Sequence, residues 1–463
     1  MAYIMSALAV ALGCYYFYSI QKHSGRIVQL IYFELIYNLM IKFLIGNIGL
    51  LSSLNYLSDV ICVWIVIEHI YQKRRRRIKA PRSLTICVAA LFLVSVASFV
   101  FNMYSPLLYL WGFRNNFRFL IFAVMCAVHL DKADIKTIMQ ILQGFFILNI
   151  FIVTYQAFFT TYSERAVGDF ISGLYSNGRE RGGNAALNWM MCIVCTYAIV
   201  EYLRKKKTLL NLALYLFGSV YMAAMAEIKL FFLQIVIISV VAVAISKKSL
   251  KVIGFSALGA ISIVLGIQML YYFFPEFAAF FQIEQILSYV TRETGYGSAG
   301  HRAGIDRLTA LPFILSHYLV TPLQRILGFG LGNADYSSNF SFLTSRFYAE
   351  NSWSNYVFFS FSFMLIEQGF AGVAMYVMIF VNSFREALTC KNESAEGESI
   401  KTLVMLTSII AITMFFSNAS LRTESSGYLV HCINIFPFLL KKDSKDEELE
   451  RTKIDRLRVK ISW

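Results

Sequence analysis

Residues 73–101 read KRRRRIKAPRSLTICVAALFLVSVASFVF, a dense block of cations followed by a run from 83 to 101 without a single charge. A membrane-crossing helix needs ~20 mostly apolar residues, and short basic loops stay on the cytoplasmic side. This junction therefore predicts a helix that enters a bilayer from the inside. Working outward, the same pattern recurs: apolar runs lie near 3–20, 27–46, 55–71, 83–101, 112–130, 138–159, 186–203, 208–225, 229–246, 252–274, 355–383, 402–420 and 427–440. The expected fold is all-α, a polytopic integral membrane protein with about 13 transmembrane helices. Run 355–383 exceeds one perpendicular span, so it is expected to begin with an interfacial turn and to bend near Gly369–Gly372.

Composition agrees. Of 463 residues 57% are hydrophobic and only 15% charged, against about 25% charged in soluble domains, and mean hydropathy is +0.59. Soluble multidomain enzymes, secreted disulfide scaffolds and disordered chains are excluded. The first charge is Lys22 and no basic region precedes 3–20, so that run is expected to be a retained span rather than a cleaved signal. Cys192 and Cys195 form a CxxC inside an apolar run without polar neighbours, as small buried residues do.

With 73–82 and RKKK (204–207) inside, cytoplasmic loops also fall at 21–26, 131–137, 247–251, 384–401 and in the tail 441–463, and together they hold 29 of the 42 Lys and Arg. The net charge of +14 is then topology and contact with anionic lipid, with no nucleic acid partner. The remaining outer cations are Arg165, Arg179, Arg181, Lys229, Arg292, Arg302, Arg307, Arg325, Arg346 and Arg422. Nine arginines to one lysine suits bidentate grip on phosphate or carboxylate, although several must pair with acids of their own loops.

The expected organisation is helices 1–10 over residues 1–274 with an outer loop at 160–184, a large outer loop at 275–352, helices 11–13 over 353–440, and a charged tail at 441–463. In the large loop, HRAGIDRLTALPFILSHYL places Ile305, Leu308, Leu311 and Leu315 on one side, which predicts an interfacial helix. Arg114 and Arg118 stand four apart near the outer end of the fifth span. Ionisable groups at that depth usually face a cavity, or an internal pair with Glu34, Asp59 or Glu68. Asp59, Glu68 and Lys42 as proton-relay groups keep a transporter reading open. Glu227 and Lys229 sit at an outer turn. No HExxH, DxD or Walker pattern occurs, His301 lies in the outer loop, and GFGLGN (328–333) reads as a turn. No cofactor or metal is expected. No internal repeat is visible, which disfavours transporters built from duplicated halves.

Four stretches carry a resemblance: LWGFRNNFRFLIF (110–122), GLYSNGRERGGNAALN (173–188), AEIKLFFLQ (226–234) and the order His301-Arg302, Pro322, Gly328, Gly330, Glu350-Asn351, Glu367, Gly369, Gly372. In these the chain resembles the bacterial O-antigen polymerase and ligase superfamily. Where ligases are similar but carry a histidine before the asparagine, this chain has Glu350, which points to a Wzy-type polysaccharide polymerase; Lys229 stands where ligases favour arginine.

The resemblance implies an enzyme of the bacterial plasma membrane, its active site facing outside, that joins undecaprenyl-diphosphate-linked oligosaccharide repeat units without nucleotide or metal. It implies Glu350 as base and Arg302 as catalytic cation. Arg114, Arg118, Arg179, Arg181, Lys229, His301 and Asn351 would bind substrate, with a chain-length regulator and a flippase as partners. The rivals are a ligase-type transferase and a lipid-linked oligosaccharide flippase.

Overall fold

The computed structural model describes residues 25–73, 80–162, 167–178, 182–246, 304–305, 307, 309–392 and 394–442, with single positions at 261, 268 and 272. The expected span at 3–20, most of 252–274 and of KRRRR, and the tail from 443 lie outside these residues. Among the described residues there is no strand. The apolar runs become α1 Arg26–Ile48, α2 Leu57–Lys73, α3 Arg82–Asn102, α4 Pro106–His129, α5 Lys132–Phe159, α6 Asn184–Leu203, α7 Leu209–Met225 and α8 Lys229–Ser246. Further along come the short α9 Ala310–His317, α10 Pro322–Leu327 and α11 Arg346–Asn351, then α12 Ser360–Thr389, α13 Ala395–Ser417 and α14 Glu424–Asn434.

Local chemistry sets the ends. Gly49 stops α1 in the left-handed conformation, Pro106 opens α4 where its missing N–H costs nothing, and Asp131 with Asp134 forms a capping box on α5. Seven helices among the described residues are long and apolar enough to cross a membrane: Arg26–Ile48, Ser52–Gln72, Arg82–Asn102, Lys132–Phe159, Asn184–Leu203, Ser360–Thr389 and Ala395–Ser417. The expectation of about thirteen spans holds only in this coarser form. Helix α4 has 24 residues, but the polar stretch RNNFR dilutes it, and α7 and α8 are shorter.

Helix α6 is the central pillar, packed on α7, α8 and α13; its Trp189 indole donates to Ser420 Oγ at 2.8 Å. Helix α12 packs on α13 and α3, and α14 on α4 and α1. The outer helices carry apolar stripes that are exposed among the described residues: Val60, Val63, Ile67 and Ile70 on α2, Leu148, Phe151 and Tyr155 on α5. Water would penalise such surface by about 25 cal/mol per Å².

Two expectations change. The interfacial helix is confined to α9, where Ala310 and Ile314 are buried and Leu311 is exposed. Pro312 is tolerated only in a first helical turn, so the helix starts late and turns a different face inward; Leu308 lies outside the described residues. The loop 160–184, expected outside, also differs. Its stretch 168–176 runs inward, with residues 170–176 all buried between α1, α5 and α6. There Gln156 Oε1 accepts the amides of Ser172 (3.2 Å) and Gly173 (2.8 Å), and its Nε2 donates to Gly173 O at 3.1 Å. Asn149 Oδ1 accepts the Leu174 amide at 2.8 Å. Asn149 lies ten residues before the end of α5, so at 1.5 Å per residue the segment reaches about 15 Å down that helix. Non-helical backbone survives at such depth only when protein groups satisfy it.

Gln156→Leu removes all three of its bonds and leaves amides unpaired, at about 1–3 kcal/mol for an unsatisfied group. The segment is then expected to lift. A Leu174→Cys reporter, buried in the parent, should react with an impermeant maleimide only in the Gln156→Leu background; equal protection in both would show that Gln156 does not hold the segment down.

Candidate functional site

The polar residues of α4 organise a network at the end of the bundle beneath the 304–358 loop. Arg114 and Arg118 share one helical face and converge on Asp59, which stands in the first turn of α2. Arg114 donates to Asp59 Oδ2 from Nε (2.9 Å) and Nη2 (2.5 Å), and from Nη1 to Asn115 Oδ1 at 2.7 Å. Arg118 reaches Asp59 Oδ1 from Nη1 at 3.4 Å and donates from Nη2 to Glu424 Oε1 at 2.8 Å. Glu424, first residue of α14, also faces Lys42 at 3.9 Å.

On the other side Asn115 donates to Asp335 Oδ2 at 2.7 Å, and Arg422 approaches Asp335 Oδ1 at 3.7 Å with its guanidinium over the Phe363 ring. Four cations thus meet three carboxylates. Arg118 is only 7% exposed and its Nε has no partner among the described residues, whereas Arg114 and Asp59 keep 22% each. The network is rooted in the bundle and open at its rim, an arrangement suited to holding an oxyanion.

The glycine-rich turn braces this end. Helix α12 breaks at Gly369 (φ 60°, ψ −165°), as expected of the 369–372 region. The break frees the carbonyls of Ile366 and Glu367, which accept the amides of Phe329 and Gly330, both at 2.8 Å. Glu367 Oε1 then accepts the amides of Gly332 (2.8 Å) and Ala334 (3.3 Å). A Cβ at Gly328 would strike the Glu367 backbone, and one at Gly369 the Ile326 carbonyl. Glycines 41 positions apart are therefore two sides of one contact, and they set Asp335 against α4.

Among the expected site residues, the structure brings Arg114 and Arg118 together. Arg302, His301, Arg179 and Arg181 lie outside the described residues. Glu350 is on the exposed α11, where Arg346 Nε donates to its Oε1 at 2.7 Å, and Asn351 Nδ2 donates back to Phe347 O at 3.0 Å. Helix α11 is joined to the network only indirectly, through Ser345 N to Asp335 O (3.0 Å) and the stack of Tyr348 on Tyr336. Lys229 stands at the start of α8 with Asp169 and Glu227 as charged neighbours. Asp335, Arg422 and Glu424 escaped notice as site residues; the acid–base alternation of LRTESS (421–426) just before the last run was the available signal. Cys192 is buried, within hydrogen-bonding reach of Gln234, and among the described residues no group of His, Cys, Asp and Glu is placed to hold a metal ion.

Burial raises the carboxyl of Glu227 above its ordinary range; the Gly168 amide opposes this, Asp169 adds to it and Lys229 opposes it. Burial likewise raises Asp169 against Lys229. A carboxyl raised on folding contributes stability that is complete below its ordinary pKa and is lost as pH rises through the folded value. Glu227→Gln should therefore melt at a temperature independent of this titration. The thermal stability of the variant relative to the parent should increase with pH above the ordinary carboxylate range and then level off; a gap constant with pH would contradict this.

No protein-family model matches the chain, and no curated protein matches it.

Proposed function

We propose that this chain is a multi-pass membrane glycosyltransferase, a polysaccharide polymerase that joins undecaprenyl-diphosphate-linked repeat units on the outer side of a bacterial plasma membrane. The observation that carries the reading is the convergence of Arg114 and Arg118 on one carboxylate at the partly open end of the bundle. Apolar stripes on α2 and α5 that are exposed among the described residues support immersion in lipid, in which about thirteen spans would place both loop regions outside. The donor is already activated by its diphosphate, so transfer needs positive charge on the leaving group and a base at the acceptor hydroxyl.

In this reading Arg114 and Arg118 take the diphosphate, Arg302 assists, and Glu350 on the exposed α11 takes the acceptor proton once it parts from Arg346. The sugar C–O bond to the diphosphate breaks as the acceptor oxygen attacks from the opposite face. Asn351, His301, Arg179, Arg181 and Lys229 would line the path of the glycan, and a flippase and a chain-length regulator would work beside it.

The deciding experiment supplies purified protein in liposomes with authentic lipid-linked repeat units and neither nucleotide nor divalent metal. A ladder of repeat multiples supports a polymerase. Transfer of a single finished glycan to another acceptor would make it a ligase, and transbilayer movement without bond formation a flippase.

A further inference from the structure

We propose that Asp59 is an internal occupant of the phosphate subsite, displaced when a lipid diphosphate binds, and that it thereby sets selectivity for diphosphate over monophosphate; this rests on the reading of Arg114 and Arg118 given above. The carboxylate lies across both guanidiniums as two phosphoryl oxygens would, Oδ2 on the Nε and Nη2 of Arg114 and Oδ1 on the Nη1 of Arg118.

Asp59 makes hydrogen bonds to the two arginines alone among the described residues, whereas Asp335 is anchored by Asn115 and the Tyr336 amide, and Glu424 also faces Lys42. The 3-10 turn Ser52–Tyr56 that leads into α2 contains no buried residue, whereas Ser58 is buried and bonded to Glu34 and Tyr428, so the release of Asp59 is a rotation of its own side chain while the helix stays in place. Once released, Asp59 still sits in the first turn of its own helix, where the N-terminal amides favour an anion. Its departure does not strand a charge.

A tethered competitor acts at high effective concentration. A ligand gains the site only if its own contacts to the arginines exceed those of the carboxylate. A diphosphate, with more charge and more oxygens, does so; a monophosphate offers little advantage over the occupant. Discrimination thus comes from a resident repulsive and competing group as much as from attraction.

The test uses the full chain in nanodiscs, with farnesyl diphosphate, farnesyl monophosphate and inorganic pyrophosphate as probes, titrated calorimetrically at fixed ionic strength. Asp59→Asn, nearly isosteric, should tighten farnesyl monophosphate about tenfold and narrow the diphosphate-to-monophosphate ratio, while Arg118→Ala should lose both ligands. Tightening confined to farnesyl diphosphate and monophosphate supports a lipid headgroup; equal tightening of inorganic pyrophosphate supports displacement by a free anion.

Weaker binding of every probe in Asp59→Asn would overturn the proposal and make Asp59 a brace for the arginines, and unchanged binding would overturn it equally. Folded protein whose parent and variants all ignore the diphosphates would remove the subsite itself. A second readout leaves Asp59 in place: a spin label at Val60→Cys, an exposed neighbour, should change mobility on farnesyl diphosphate binding. An unchanged spectrum with bound ligand would show that Asp59 stays where it is.

Discussion

Arg118→Ala should abolish product formation, with a rate loss of about 10²–10³ or more, the usual effect of removing one charged or hydrogen-bonding group from a developing anion. Two consequences must be separated. The substitution withdraws a cation from the proposed diphosphate subsite. It also leaves the Glu424 carboxylate with Lys42 at 3.9 Å as its remaining cation, and breaking a buried pair from one side costs about 3–5 kcal/mol.

The single variant is therefore expected to melt earlier as well as to lose activity. The double variant Arg118→Ala/Glu424→Gln removes both charges and should recover much of the thermal stability with none of the activity. Recovery of the ladder in the double variant would reduce Arg118 to a structural counterion. Arg118→Lys keeps the charge, but a single ammonium cannot reach both Asp59 and Glu424 with the geometry of a fork, so partial activity is the expected result.

The second large effect falls on the fold. Gly369→Ala should prevent accumulation of monodisperse protein. The backbone at Gly369, φ 60° and ψ −165°, lies in a region that is essentially restricted to glycine, at a cost of about 1–3 kcal/mol for other residues before any collision. The new Cβ would also meet the Ile326 carbonyl, which cannot give way without moving α10. The turn at 328–334, a wedge between α4 and α12, would then withdraw the amides of Gly332 and Ala334 from Glu367, whose second oxygen is already buried without a partner among the described residues. Thermal unfolding in detergent and size-exclusion profiles measure this directly. Gly144→Ala is the control: it lies in α5 with nothing within 4 Å of the added carbon, and alanine favours helix over glycine by about 1 kcal/mol. A Gly369→Ala protein as stable as the Gly144→Ala one would contradict the account.

The helices were legible because each announces itself locally: an apolar run of the right length, closed by Gly49, opened by Pro106 or capped by Asp131. The break in α12 was legible for the same reason, two glycines in an overlong run. The inward course of 168–176 was not. Its amides are answered by Asn149 and Gln156 on α5, seven residues apart on one face, and hydropathy registers such a pair only as a dip in an apolar run.

The site was half visible. Arg114 and Arg118 stood out as cations inside a span, and Asp59 was among the three acids considered for Arg118. Glu424, 306 residues beyond Arg118, could not be assigned to it, since no local pattern records a contact made only when α14 packs against α4 and α1. The amphipathic pattern near 305–315 misled because one proline moved the start of the helix.

The pairing of Arg118 with Glu424 has a consequence for how the molecule comes into being. A ribosome delivers Arg118 early, with Asp59 already made, but the second carboxylate arrives only after more than three hundred further residues. The wedge at 328–334 waits in the same way for Ile366 and Glu367. Throughout synthesis a guanidinium destined for burial has half its complement, and the last helix supplies the rest. Completion of the charge network is thus a late event in assembly, and a nascent chain halted before residue 424 would carry Arg118 without the second carboxylate that pairs with it.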